Sequence, residues 1–147
     1  MTTAAAILLV EDNEDDVFLM KRALKSAGIV NQLCVVEDGQ QAVDYLAGER
    51  TYANRETYPL PAIVFLDLKL PLKNGLQVLE WIRKQSALEN LVVVVLTSSN
   101  EPSDLREAYR LGANSYVVKP PTAAQLIDLA KAFKWYWLEF NRFEKLT

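Results

Sequence analysis

The stretch ILLVEDNEDD, residues 7–16, joins a run of four apolar residues directly to an acidic cluster, and similar junctions recur three times along the chain. IVFL runs into Asp67, LVVVVL into Thr97 and YVV into Lys119. Runs of this length, rich in Val, Ile and Leu and lacking period-2 alternation, read as strands buried on both faces of a parallel sheet. If the four runs lie in one such sheet, the carboxylates of Glu11, Asp12 and Asp67, a hydroxyl and an ammonium converge at its carboxyl edge. That edge is where open α/β sheets place their sites.

Five such runs, near residues 6–10, 32–37, 62–66, 91–96 and 115–118, alternate with helical patterns from end to end. The alternation predicts an α/β fold, a doubly wound five-stranded parallel sheet with helices on both faces. After Asn13 the residues Val17, Met20, Leu24 and Ala27 keep helical spacing until Gly28, a natural helix terminator. Further helices carry Ala42, Val43 and Leu46 up to Gly48, then Leu76, Leu79 and Ile82, then the stretch from Pro102 to Gly112. The last opens after Pro120-Pro121 with Thr122 as its N-cap. Residues 49–61, ERTYANRETYPLP, break this rhythm and read as a polar surface loop, a tolerated insertion.

At 147 residues, half of them apolar or aromatic, the chain is about one domain long and predicts a single core over residues 1–147. A net charge of -3 without a basic patch disfavours nucleic acid as a partner. A single cysteine, Cys34, excludes a disulfide framework, and the reducing cytoplasm fits best. The start lacks the features of a signal peptide, and no apolar stretch approaches membrane-spanning length, so neither export nor membrane embedding is expected. The absence of histidine removes Ser-His-Asp triads, histidine-ligated zinc and a histidine base, and leaves carboxylate chemistry.

Phosphoryl transfer to a carboxylate needs a nucleophilic Asp, a divalent cation to shield like charges, and donors for the phosphoryl oxygens. Glu11, Asp12 and Asp67 crowded together would repel one another, and Mg²⁺, which binds through a few carboxylates and keeps several waters, answers that repulsion. Lys119 offers a compact charge for Asp67 or a phosphoryl oxygen, and Thr97 a hydroxyl for the same oxygen. Taken singly, the acids after Val10 also read as a helix-capping cluster, Asp67 as a turn residue and Lys119 as a solvated lysine. Their joint placement at strand ends is what argues for a site.

In their order and separations, ILLVEDNEDD, IVFLDLKLPLKNG, VVVLTSS and YVVKPP resemble the receiver domain of two-component response regulators, a flavodoxin-like fold, over residues 6 to about 132. The resemblance implies that Asp67 is the phosphoacceptor, and that Mg²⁺ is held by Glu11, Asp12, Asp67 and the backbone carbonyl of Lys69. It further implies that Thr97 and Lys119 bind the phosphoryl group, and that Tyr116 is the aromatic whose rotamer accompanies activation. A cis peptide at Lys119–Pro120 is implied as well. Glu11 stands where the family more often has Asp, which lengthens one arm toward the metal. By the same resemblance the phosphoryl donor is a phosphohistidine of a sensor histidine kinase, and the protein is a switch rather than an enzyme.

No output domain is expected after the receiver, so a partner or a second copy is expected to read the switch. Residues 133–147 are expected to extend the last helix. On that helix Leu126, Ala130, Phe133, Trp137 and Phe140 would form one stripe, with Trp135 about half a turn away and Leu138 to its side. Trp135, Leu138 and Phe140 therefore predict an interface, most simply a homodimer. The polar loop and aromatic tail also resemble the small regulators paired with bacterial, especially cyanobacterial, phytochromes, although relay to a histidine phosphotransfer protein or binding to a motor stays open. Three other readings compete. A flavodoxin-like electron carrier needs a Ser/Thr/Gly-rich phosphate loop where this chain has EDNEDD, and a haloacid-dehalogenase-type phosphatase needs an acid where it has Lys69. A receiver-like adaptor that works without phosphorylation would have no need of the intact quartet.

Overall fold

The computed structural model describes residues 5–144 and 146; the ends of the expected 1–147 unit, residues 1–4, and residues 145 and 147 of the tail lie outside the described residues. Five parallel strands, β1 (Ile7–Val10), β2 (Leu33–Val36), β3 (Ile63–Leu66), β4 (Val92–Thr97) and β5 (Ser115–Val118), form one sheet in the order β2-β1-β3-β4-β5. This is the flavodoxin-like winding, with the order reversing between β1 and β3. Each strand begins and ends within two residues of its expected run. Burial on both faces holds for β1, β3 and β4, whereas β2 and β5 are largely half-buried because each has a neighbour on one side only.

Helices α1 (Glu14–Ser26) and α5 (Ala123–Phe133) pack together on one face, and α2 (Gly39–Ala47) and α3 (Gly75–Lys84) on the other, with α4 (Pro102–Arg110) beside α3. Alternate strand residues supply the two cores. Leu8, Val10, Val64, Leu66 and Val93 point toward α2 and α3, and Ile7, Leu9, Ile63, Phe65 and Val94 toward α1 and α5. Asn13, Asp38, Asn74 and Thr122 each accept a hydrogen bond from a first-turn amide of the helix they precede.

The loop at 49–61 is tied down. Tyr58 packs edgewise on Tyr52 and on the buried Tyr45, Tyr52 lies tilted against Tyr45, and the Tyr45 hydroxyl donates to the Pro59 carbonyl at 2.8 Å. Arg55 donates to the carbonyls of Tyr45 and Leu46 at the end of α2. These bonds add to the capping of the helix end, where the Gly48 amide also donates to the Tyr45 carbonyl.

After Phe133 the chain stays helical but changes pitch. Lys134–Phe140 is a π-helix, and the Asn141 amide donates to the Tyr136 carbonyl five residues back, at 2.7 Å. The wider turn shifts the phase of the expected stripe. Trp137 and Leu138 both face the core, and Phe140, expected on that same stripe, is 73% exposed.

Candidate functional site

The sheet's hydrogen-bond ladder continues one residue past the strand ends, and that continuation places the polar side chains. The Glu11 amide donates to the Val36 carbonyl at 3.0 Å, the Asp67 amide to Val10 at 3.1 Å and the Lys119 amide to Thr97 at 2.7 Å. Register therefore brings the ends of β1, β3, β4 and β5 to one edge. Glycine at 75 is needed there, because a Cβ would stand 2.1 Å from the Asp67 carbonyl oxygen.

Oxygens of Glu11, Asp12 and Asp67 come within 4.8 Å of one another, Glu11 and Asp67 buried and Asp12 exposed. The Lys119 ammonium lies among the acids, 2.5 Å from Glu11 Oε1, 2.9 Å from Asp16 Oδ2 and 3.2 Å from Asp67 Oδ2. The other Asp67 oxygen, Oδ1, accepts from the Leu68 amide at 2.7 Å. Lys69, two residues on, is exposed, with its amide 3.5 Å from the same oxygen. Burial pushes the Glu11 carboxyl up to about 7; the Lys119 hydrogen bond counteracts this and the nearby Asp67 charge adds to it. Burial alone would lower the Lys119 ammonium, but Glu11, Asp16 and Asp67 more than offset it and hold it above its ordinary value.

Thr97 is fully buried at the end of β4, and its hydroxyl oxygen accepts from the Ser99 amide at 3.3 Å. The Tyr116 ring packs against Leu68, Val95 and Ala108, and its hydroxyl donates to the Ser99 carbonyl at 3.0 Å. Ser99 in turn donates its hydroxyl to Asp104 in the first turn of α4. The backbone of Ser99 thus touches both Thr97 and Tyr116. The Lys119–Pro120 peptide is trans, a correction to the resemblance: the Lys119 amide is already aligned by its bond to Thr97, and the long side chain reaches the acids from there.

Sequence reasoning named Glu11, Asp12, Asp67 and Lys119, and the fold brings them together; it placed Thr97 and Tyr116 beside them without foreseeing Ser99 between. It passed over Asp16. A usable signal was present, since a helix capped by Asn13 has Asp16 in its first turn, above the strand ends.

With that geometry in hand, the residue pattern of the response regulator receiver domain matches residues 7–131. The chain belongs to the receiver family of response regulators. It is 39% identical over 140 residues to the probable methanogenesis regulatory protein FilR2 of Methanothrix harundinacea, covering 92% of this chain and 85% of that protein. It is 35% identical over 133 residues to the response regulator Rcp1 of Synechocystis, covering 90% and 88%. The crystal structure of the phosphorylated cyanobacterial phytochrome response regulator RcpA superposes with a TM-score of 0.90 at 34% identity, over 97% of this chain and all of that one. A structure of Rcp1 has been solved in a Mn²⁺-bound form, with a TM-score of 0.86 at 33% identity, covering 96% of this chain and 99% of that one. The acidic cluster of this receiver fits such a metal site in donor type and spacing. Among the described residues no helix is long and apolar enough to cross a membrane.

Proposed function

We propose that this receiver takes a phosphoryl group onto Asp67 from the phosphohistidine of a sensor histidine kinase and acts as a cytoplasmic switch in a phosphorelay. The observation that carries the reading is the convergence of Glu11, Asp12 and Asp67 on one spot, with the Lys119 ammonium bonded to two of them. Glu11, Asp12, Asp67 and the Lys69 carbonyl would hold Mg²⁺, which when bound shields phosphoryl oxygens from the carboxylates. An Asp67 oxygen attacks phosphorus in line, the N–P bond of the donor breaks and its electron pair returns to the imidazole. Lys119 releases Asp67 and hydrogen-bonds a phosphoryl oxygen, while the Thr97 hydroxyl, now held to the Ser99 amide, turns toward another. Because Tyr116 also bonds Ser99, movement at Thr97 reaches the β5 surface through one residue.

Incubation with acetyl phosphate and Mg²⁺ should add one phosphoryl mass to the chain and none to Asp67→Asn. Label retained in the variant, or none in the parent, overturns the reading.

The likeness to RcpA, a phytochrome response regulator, supports a phytochrome-type kinase as the donor. Near-complete coverage of RcpA and Rcp1 supports a receiver that works as its own unit over residues 1–147. Candidate readers of its switched surface are a histidine phosphotransfer protein and a second copy. Trp135 and Phe140, stacked with centroids 6.1 Å apart and both exposed, favour a homodimer through the π-helix. Leu138, turned to the core, does not join that surface.

A further inference from the structure

The Lys119 ammonium has three protons and three carboxylate partners, so its donors are saturated. Two of those partners, Glu11 and Asp67, belong to the metal-fitting cluster; Asp16 does not. On the function proposed above, on which this inference rests, Glu11 would turn to a bound cation and phosphorylation would take up the free carboxylate of Asp67. Asp16 is the partner left. Its place is well fixed, since its amide donates to the capping Asn13 side chain at 3.0 Å in the first turn of α1. Beside the pair lies a cavity of about 80 Å³ walled by the apolar side chains of Leu9, Leu19, Met20, Leu96 and Leu126. The apolar side chains offer an ammonium no acceptor, and the hydroxyl of Thr122 on the same lining is already engaged with Gln125 as donor and acceptor, so a Lys119 freed from its acids turns to solvent.

We propose that Asp16 is a positioning residue: it tethers Lys119 at the mouth of the pocket so that one ammonium proton stays aimed at the phosphoryl oxygen during transfer. It touches neither the phosphoryl group nor the metal, and acts through the lysine alone. A long, flexible lysine loses little in binding when untethered but much in alignment, and alignment is what transfer depends on.

The full chain is compared with Asp16→Ala, Asp16→Asn and Asp16→Glu. In Mg²⁺-saturated, unphosphorylated protein, the nitrogen-resolved NMR signal of the Lys119 ammonium should persist in the parent and in Asp16→Glu. It should broaden through faster solvent exchange in Asp16→Ala, where of the three acids Asp67 alone still faces the ammonium. With acetyl phosphate at saturating Mg²⁺, the maximal phosphorylation rate of Asp16→Ala should fall by about tenfold or more. Mg²⁺ affinity by calorimetry should stay within about twofold, because the group lost is not a metal ligand. Asp16→Asn keeps the shape and one acceptor oxygen and should fall between. An undisturbed ammonium signal in Asp16→Ala, equal losses in Asp16→Ala and Asp16→Glu, or a rate change explained by weaker Mg²⁺ binding overturns the tether. A parent chain that takes no label on Asp67 defeats the proposed function instead; the ammonium signal needs no phosphoryl transfer and still decides the role of Asp16.

Discussion

The carboxyl edge of the sheet and the π-helix at Lys134–Phe140 solve opposite problems. At the edge, charges that water would welcome are held out of it: Glu11 and Asp67 are buried, and one ammonium serves both. Along the π-helix, rings that water disfavours are left in it: Trp135, Tyr136 and Phe140 are all more than half exposed. The edge is built from residues up to 108 positions apart, brought together by strand register, so each depends on the others. The π-helix depends on its own turn and on one contact with the core, through Trp137 and Leu138. Cost at the edge therefore follows charge balance, whereas cost at the tail follows buried area.

The sharpest way to break this contrast is to remove Lys119. Lys119→Met leaves Glu11 and Asp67 facing each other without a cation, and loss of one partner of a buried ion pair costs about 3 kcal/mol. Urea unfolding of the metal-free protein near neutral pH should show that loss, and saturating Mg²⁺ should recover much of it by supplying the missing positive charge. A metal-free variant as stable as the parent would mean that the edge does not work by charge balance.

Much of the edge was legible from residues alone, because a parallel sheet fixes where a strand's last residue goes. An apolar run that stops at Glu11, Asp67 or Thr97 states where the strand ends, and register does the rest. Helix starts at Asn13 and Thr122 were legible for a similar local reason, a side chain bonded within three residues. Asp16 was legible only as a first-turn acid of α1; its partner lies 103 positions away, and no local pattern announces that contact. The π-helix was not legible either. One added residue per turn moves Leu138 inward and Phe140 outward, and a stripe drawn at 3.6 residues per turn cannot anticipate the change.

A gentler perturbation of the edge uses protons. Burial pushes the Glu11 carboxyl up to about 7 from 4.5, so the metal-free fold binds this proton more tightly than the unfolded chain does. Its stabilising effect is full below 4.5 and is lost as pH rises through about 7. A divalent cation competes with the same proton. Mg²⁺ affinity measured by calorimetry should rise roughly tenfold from about pH 6 to about pH 8, with proton release on binding, and Glu11→Gln should bind more weakly with a flatter profile. An affinity independent of pH in the parent would show that Glu11 is ionised throughout.

The smallest effect on folding is expected at the tail, where it separates two neighbouring tryptophans. Trp135 stacks on Phe140 in solvent, so Trp135→Ala should change stability by no more than about 0.5 kcal/mol. Trp137 packs between the α1/α5 core and Phe143, so Trp137→Ala should cost several times more. If the exposed pair is the seam of a homodimer, sedimentation should show a concentration-dependent dimer in the parent and in no concentration range for Trp135→Ala. A parent that sediments as a monomer throughout removes the dimer. A dimer that survives Trp135→Ala moves its seam elsewhere, because an aromatic anchor at an interface centre contributes a large share of the association energy.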